Sequence, residues 1–293
     1  NSEKTAHAIS IATSLAGGFM SQFGTMTKPL HSGLAAAGAV QAALFAKEGI
    51  TAGDGTLHST TGMGTLMVGP DVEKIRTEMK DKAEHGQTTI FATADIGEPL
   101  HIEKYGLKVK RFPNCGSIHR ALDGLLELRE KYSFTAEDVQ KILVRAPAAH
   151  LRNLMYDRPQ NSMEAKFSLE FSLATGLLNG NVGLEDYAED NILNAKITEL
   201  LPIVCKEYVE ALESDFYTQV HVTFKNGQTV STEITMPIGS TACPMSDKQL
   251  WDKFEACVNK HITTSNKSNI EKRLRNIIHE IDISLMMKDL SIR

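Results

Sequence analysis

The stretch Val220-His221-Val222-Thr223-Phe224-Lys225-Asn226-Gly227-Gln228-Thr229-Val230 decides the class of fold. Apolar residues alternate with polar ones before an Asn-Gly pair, and the pattern reads as two strands joined by a tight turn. The first third of the chain reads as helix. Glu3 to Ala16 is apolar at helical spacing after Ser2, and Gly17-Gly18 stops it. A second helix is predicted from Pro29 to Lys47, with Thr27 as N-cap, Pro29 in the first turn and Gly49 as the stop. Its small residues, among them Gly33, Ala36, Gly38 and Ala42, predict burial in a tightly packed bundle. Asp71 to Glu84 reads as an exposed, charged helix.

Between this part and the hairpin the periods mix. Leu107 to Pro113 alternates like a strand, and Ile118 to Lys131 carries a helical stripe of Ile118, Ala121, Leu122, Leu125 and Leu128. Thr135-x-x-Asp138 resembles a capping box before a strand at Ile142-Leu143-Val144, which ends near Pro147. Met163 to Leu178 is predicted as one helix closed by Gly180. After Pro237 two further helices are expected, opened by capping boxes at Ser246-x-x-Gln249 and Ser268-x-x-Glu271. The order helices, mixed elements, helices predicts an α+β fold, mainly α, with an α+β segment inserted into a helical body.

The chain has 293 residues, 42% of them apolar, which suffices for a large core without a disulfide or metal. Its net charge is −5, without a basic tract, which argues against nucleic acid or an anionic membrane as partner. No apolar run is long enough to span a bilayer, and Asn1-Ser2-Glu3-Lys4 does not open a secretory signal. Cys115, Cys205, Cys243 and Cys257 are widely spaced. That spacing predicts free thiols in a reducing compartment, the cytoplasm or, in a eukaryote, the mitochondrial matrix, and no metal site. With no phosphate-cradling glycine loop, no cofactor is expected.

Three clusters carry chemistry. In Thr25-Met26-Thr27-Lys28-Pro29-Leu30-His31, Lys28 and His31 stand at a helix N-terminus, where free N–H groups favour an anion. In Lys108-Val109-Lys110-Arg111-Phe112-Pro113-Asn114-Cys115-Gly116-Ser117-Ile118-His119, a basic segment leads to a second helix start bearing a thiol and an imidazole. In Glu164-Ala165-Lys166-Phe167-Ser168, Lys166 lies four residues from Glu170. Each has a plainer reading: a solvated lysine near a cap, a basic edge that keeps the protein soluble, and surface ion pairs at a helix start.

Taken in order, these clusters resemble the MmgE/PrpD family, which includes 2-methylcitrate dehydratases, cis-aconitate decarboxylases and an iminodisuccinate epimerase. The matching stretches are Phe23 to Ala36, Lys110 to Asp123 and Glu164 to Leu169, and the likeness extends over nearly the whole chain. It implies an all-helical body from both chain ends (1–105 and 238–293) and a smaller α+β lid at 106–237, with the site between them and homodimers common. Family members carry a further helical stretch before the point where this sequence starts. The resemblance implies a cofactor-free lyase or isomerase acting on a small di- or tricarboxylate by removing a proton beside a carboxylate. The outcome is dehydration, decarboxylation or epimerisation; the alternative is an inactive fragment or divergent paralogue that only folds or binds carboxylates. Lys28, Lys110, Lys166 and Ser168 would bind substrate; His31, His119 and Cys115 would be catalytic. Animal aconitate decarboxylases tend to carry His where Cys115 stands, and the Thr56 to Gly64 stretch departs from the family's acidic, Gly-Phe pattern.

Overall fold

The computed structural model describes residues 1–57, 59–68, 77, 99–209 and 217–290. Of the helix expected over Asp71 to Glu84, Thr77 alone is among the described residues, and it is helical. The chain divides into two units, Asn1–Gly106 and Leu107–Arg293. The helices after residue 238 group with the second.

In the first unit, α1 (Ser2–Leu15) and α2 (Thr27–Lys47) pack on each other. The Asn1 side chain, rather than Ser2, caps α1 by accepting from the Lys4 amide at 2.9 Å. Thr27 is the first residue of α2, not its N-cap, and Met26 before it makes no capping bond. The predicted stop is sound: Gly49 has φ +94°, its amide donates to Ala46, and the Ile50 amide donates to Phe45. The expected burial of α2 holds along one stripe only, Gly38, Ala42 and Ala46, while Leu30, Leu34, Val40 and Leu44 are exposed. Small residues allow close approach but do not compel it, and α1 has width for one face.

The second unit is built on a four-stranded sheet of order β2-β1-β3-β4, from β1 (Val139–Pro147), β2 (Val204–Val209), β3 (Thr218–Phe224) and β4 (Thr229–Ile234). The hairpin pairs β3 with β4 as read from sequence. Its turn has three residues, Lys225, Asn226 and Gly227, with Gly227 at φ +86°. β3 also runs antiparallel to β1, whereas β2 is parallel to it, with Leu143 opposite Cys205. A parallel pair needs a long crossover. Here that crossover holds α4 (Leu169–Asn179), which packs with α3 (His119–Tyr132) over the sheet. The predicted stripe of α3 is buried in full. Gly124 makes the contact with the sheet close, since a Cβ there would stand 2.9 Å from Val220 Cγ2.

Three sequence expectations are corrected. Leu107 to Pro113 is not a strand: the chain bends from Arg111 onward and is tied to the rest by the Val109 amide donating to the Gly239 carbonyl at 2.8 Å rather than by a ladder. The helix expected from Met163 to Leu178 is broken into Ser162–Ala165 and α4, because the Ser168 side chain takes the Phe171 amide and starts a new helix. The last helices are α5 (Asp247–Val258), α6 (Thr264–Arg275) and α7 (Ile283–Asp289). Ser246 caps α5 with its capping box, but Thr263 caps α6, so Ser268 is interior. The chain is thus α+β and mainly helical. No helix among the described residues is long and apolar enough to cross a membrane.

Gly239 sits at φ +94°, and a Cβ on it would lie 1.9 Å from the Val109 carbonyl oxygen. Gly227 has a similar φ of +86° but open space around it. Urea denaturation should therefore rank the two apart: Gly227→Ala should cost about 1–2 kcal/mol from backbone strain alone, and Gly239→Ala clearly more.

Candidate functional site

The Lys110–His119 segment is held at several points. The Lys110 ammonium donates to the Asn114 carbonyl at 2.9 Å. The Cys115 amide donates to the Lys166 carbonyl at 2.9 Å, so the break before α4 supplies an acceptor that an unbroken helix would have used itself. Lys253 on α5, 143 residues from Lys110 in sequence, donates its ammonium to the Lys110 carbonyl. Arg111 is drawn to the Asp123 carboxylate at 2.7 Å, and the other oxygen of Asp123 accepts the Ile238 amide at 2.8 Å. Burial raises the Asp123 pKa against the pull of that amide and of Arg111.

His119 opens α3 and is buried at 3% exposure. Its ring meets Phe112 edge-on, with centroids 5.3 Å apart, and its Nε2 has no hydrogen-bond partner among the described residues. Burial first, and the nearby Lys110 and Lys253 charges next, lower its pKa to about 4, with the backbone of Phe112 and Asn114 pulling the other way. The imidazole is neutral at pH 7 and carries a free nitrogen beside two cations.

Asn114 is also buried. Its amide nitrogen donates to Tyr187 Oη at 2.8 Å and to Ser172 Oγ at 3.3 Å, while its Oδ1 lacks a partner among the described residues. Ser168 is fully buried, and its Oγ accepts the Phe171 amide at 3.0 Å as the cap of α4. Lys166 is half-buried. In the first unit, Lys28 is the second residue of α2 and its ammonium lies 5.8 Å from the Phe23 ring centroid. The His31 ring lies against Gly18, where a Cβ would come within 3.0 Å of Nδ1. The structure thus brings Lys110 and His119 together, and ties Cys115 between them to Lys166 through the backbone. Lys28 and His31 share the start of α2 in the first unit.

Sequence reading missed Lys253, Asn114 and Tyr187. Asn114 stood inside a quoted motif but has no titratable group to draw attention; Tyr187 and Lys253 sit outside every motif. A cleft of about 510 Å³ opens beside the segment, lined by Arg111, Pro113, Val182, Met245, Gln249 and Lys253, among others. A second buried ion pair joins Lys206 on β2 to Glu170 on α4 at 2.9 Å, and burial raises the Glu170 pKa despite that lysine. Among the described residues no group of three or more His, Cys, Asp or Glu could hold a metal ion.

Comparison with known proteins agrees with this layout. The model of the MmgE/PrpD C-terminal domain matches residues 112–277, and that of the MmgE/PrpD N-terminal domain matches residues 1–75. The chain belongs to the MmgE/PrpD family. Among curated relatives, this MmgE/PrpD chain is 26% identical over 294 residues to cis-aconitate decarboxylase of Homo sapiens, covering 98% of this chain and 57% of that protein. It is 24% identical over 266 residues to cis-aconitate decarboxylase of Mus musculus, covering 88% of this chain and 51% of that protein. The chain spans about half the length of these relatives.

A depressed histidine has a definite signature. Between pH 6.5 and about 4 the unfolded chain takes up a proton that folded His119 refuses, so stability falls as pH falls through that window. The expected loss is about 3 kcal/mol. Measured as the difference between wild type and His119→Asn in urea, which cancels the opposite slopes of Asp123 and Glu170, the loss should appear in wild type alone. NMR titration of the His119 ring should give a midpoint near 4.

Proposed function

We propose that this chain is a cofactor-free lyase or isomerase that removes a proton next to a carboxylate of a small di- or tricarboxylate. The observation that carries the reading is His119: a buried neutral imidazole with an unpartnered Nε2, flanked by Lys110 and Lys253. A neutral imidazole can accept a proton, and the two ammonium groups can hold the carboxylate whose charge grows as the enolate forms. Electrostatic stabilisation of that charge is usually the largest catalytic term. A positioned general base adds roughly a hundred- to ten-thousandfold.

In this reading Lys110 and Lys253 bind substrate carboxylate in the second unit, His119 moves the proton and Cys115 stands beside it. Lys166 is assigned a further carboxylate contact in this proposal, and Ser168 contributes by shaping the break that holds Cys115. Lys28 and His31 form the corresponding pair in the first unit. Decarboxylation has the support of the named relatives; loss of hydroxide or reprotonation would follow from the same enolate. The protein acts as a homodimer in this proposal, which light scattering after size exclusion would check.

Proton NMR in D2O with 2-methylcitrate, citrate, cis-aconitate and iminodisuccinate tests the chemistry. Deuterium incorporation or product formation on one of them is expected; silence on all four with folded protein would overturn the proposal. His119→Asn should lower the rate at least a hundredfold with little change in KM, whereas Lys253→Met and Lys28→Ala should chiefly raise KM.

A further inference from the structure

The hydroxyl of Tyr187 is not idle in the core. Ser172 Oγ donates to the Ser168 carbonyl at 2.8 Å, and that bond uses the only proton Ser172 has. The 2.8 Å contact between Ser172 Oγ and Tyr187 Oη must therefore be a donation from Tyr187. Tyr187 Oη is then left as an acceptor, and the Asn114 amide nitrogen fills it at 2.8 Å. Each direction follows from the one before, so the chain of bonds fixes which way the Asn114 amide faces. Burial holds the Tyr187 phenol protonated, its pKa pushed up to about 12, so the donation persists at any working pH.

Asn114 is the joint of the segment. Its carbonyl receives the Lys110 ammonium, its backbone acts on His119, and its neighbour is Cys115. Tyr187 itself comes from a turn at Glu185–Tyr187, well outside the three motifs. We propose that Tyr187 is a positioning residue: through Ser172 and the Asn114 side chain it sets the loop that presents Lys110, Cys115 and His119. This rests on the reading of those three residues as the reacting group of the site. A residue that merely filled space would do its work with the ring, which packs on Phe171 with centroids 5.6 Å apart, and the hydroxyl would be dispensable.

Tyr187→Phe in the full chain separates the two roles because it keeps the ring and removes one oxygen. Loss of the hydroxyl's two buried hydrogen bonds, to Ser172 and from Asn114, should loosen the loop, so iodoacetamide should alkylate Cys115 at least about fivefold faster, with the exposed Cys257 unchanged as internal control. The His119 titration midpoint should rise from about 4 toward its ordinary value as water gains access. Where turnover is detectable, kcat should fall with KM held. Equal Cys115 reactivity and an unmoved His119 midpoint would overturn the proposal, whatever happens to thermal stability. Should Tyr187→Phe not fold, Ser172→Ala cuts the same chain one bond further on and is judged by the same two readings. Neither reading needs a substrate: if they move while the D2O experiment is silent, the positioning role stands and the proposed reaction fails.

Discussion

The start of α4 is the point on which the second unit depends. This helix is buried from Leu169 to Leu177, so its first amides have no water to turn to and must find partners inside the protein. Ser168 supplies one by accepting the Phe171 amide, and its own carbonyl receives the Ser172 hydroxyl. Making that cap ends the preceding helix at Ala165 and leaves the Lys166 carbonyl turned toward Cys115. The break that satisfies α4 therefore also anchors the segment carrying Lys110, Cys115 and His119. One local requirement, capping a helix out of reach of water, shapes the site several residues away.

The electrostatics of the site follow from the same burial. An imidazole out of water beside Lys110 and Lys253 stays neutral, because protonating it would add a third positive charge to a poorly solvated place. Asp123 behaves oppositely: burial disfavours its charge, but Arg111 and the Ile238 amide compensate and keep the loop from 109 to 113 close to the start of the C-terminal helices. Glu170 and Lys206 repeat that arrangement between α4 and β2. Positive charge from Lys110 and Lys253 thus lies close to His119.

The hairpin, the stripe of α3 and the Ser246 capping box were legible in the sequence because each is a local pattern whose partners lie within a few residues. The alternation of Leu107 to Pro113 misled, since a strand also needs a neighbour, and this segment finds one carbonyl on Gly239 rather than an edge. β2 was missed for the converse reason: Val204 to Val209 has mixed burial and is a strand only because β1 lies beside it. The helix break at Lys166 hid behind an unbroken apolar period. Lys110, Cys115 and His119 were singled out through motif and residue type; Lys253 and Tyr187 reach the same segment from distant parts of the chain, which no single-sequence pattern encodes.

The parallel pairing of β1 with β2 bears on how the molecule assembles. Residues 148–203, which include Ser168, Ser172 and Tyr187, form the connection between those two strands. Closing so long a loop costs entropy before any pairing repays it, while the β3–β4 hairpin and α3 need only near neighbours. The polar bonds around Asn114 join parts that local folding alone does not bring together. In an intermediate with the hairpin formed and the crossover undocked, Asn114 would lack Tyr187 and Cys115 would lack Lys166, so the segment from Lys110 to His119 takes its final arrangement only when the crossover docks.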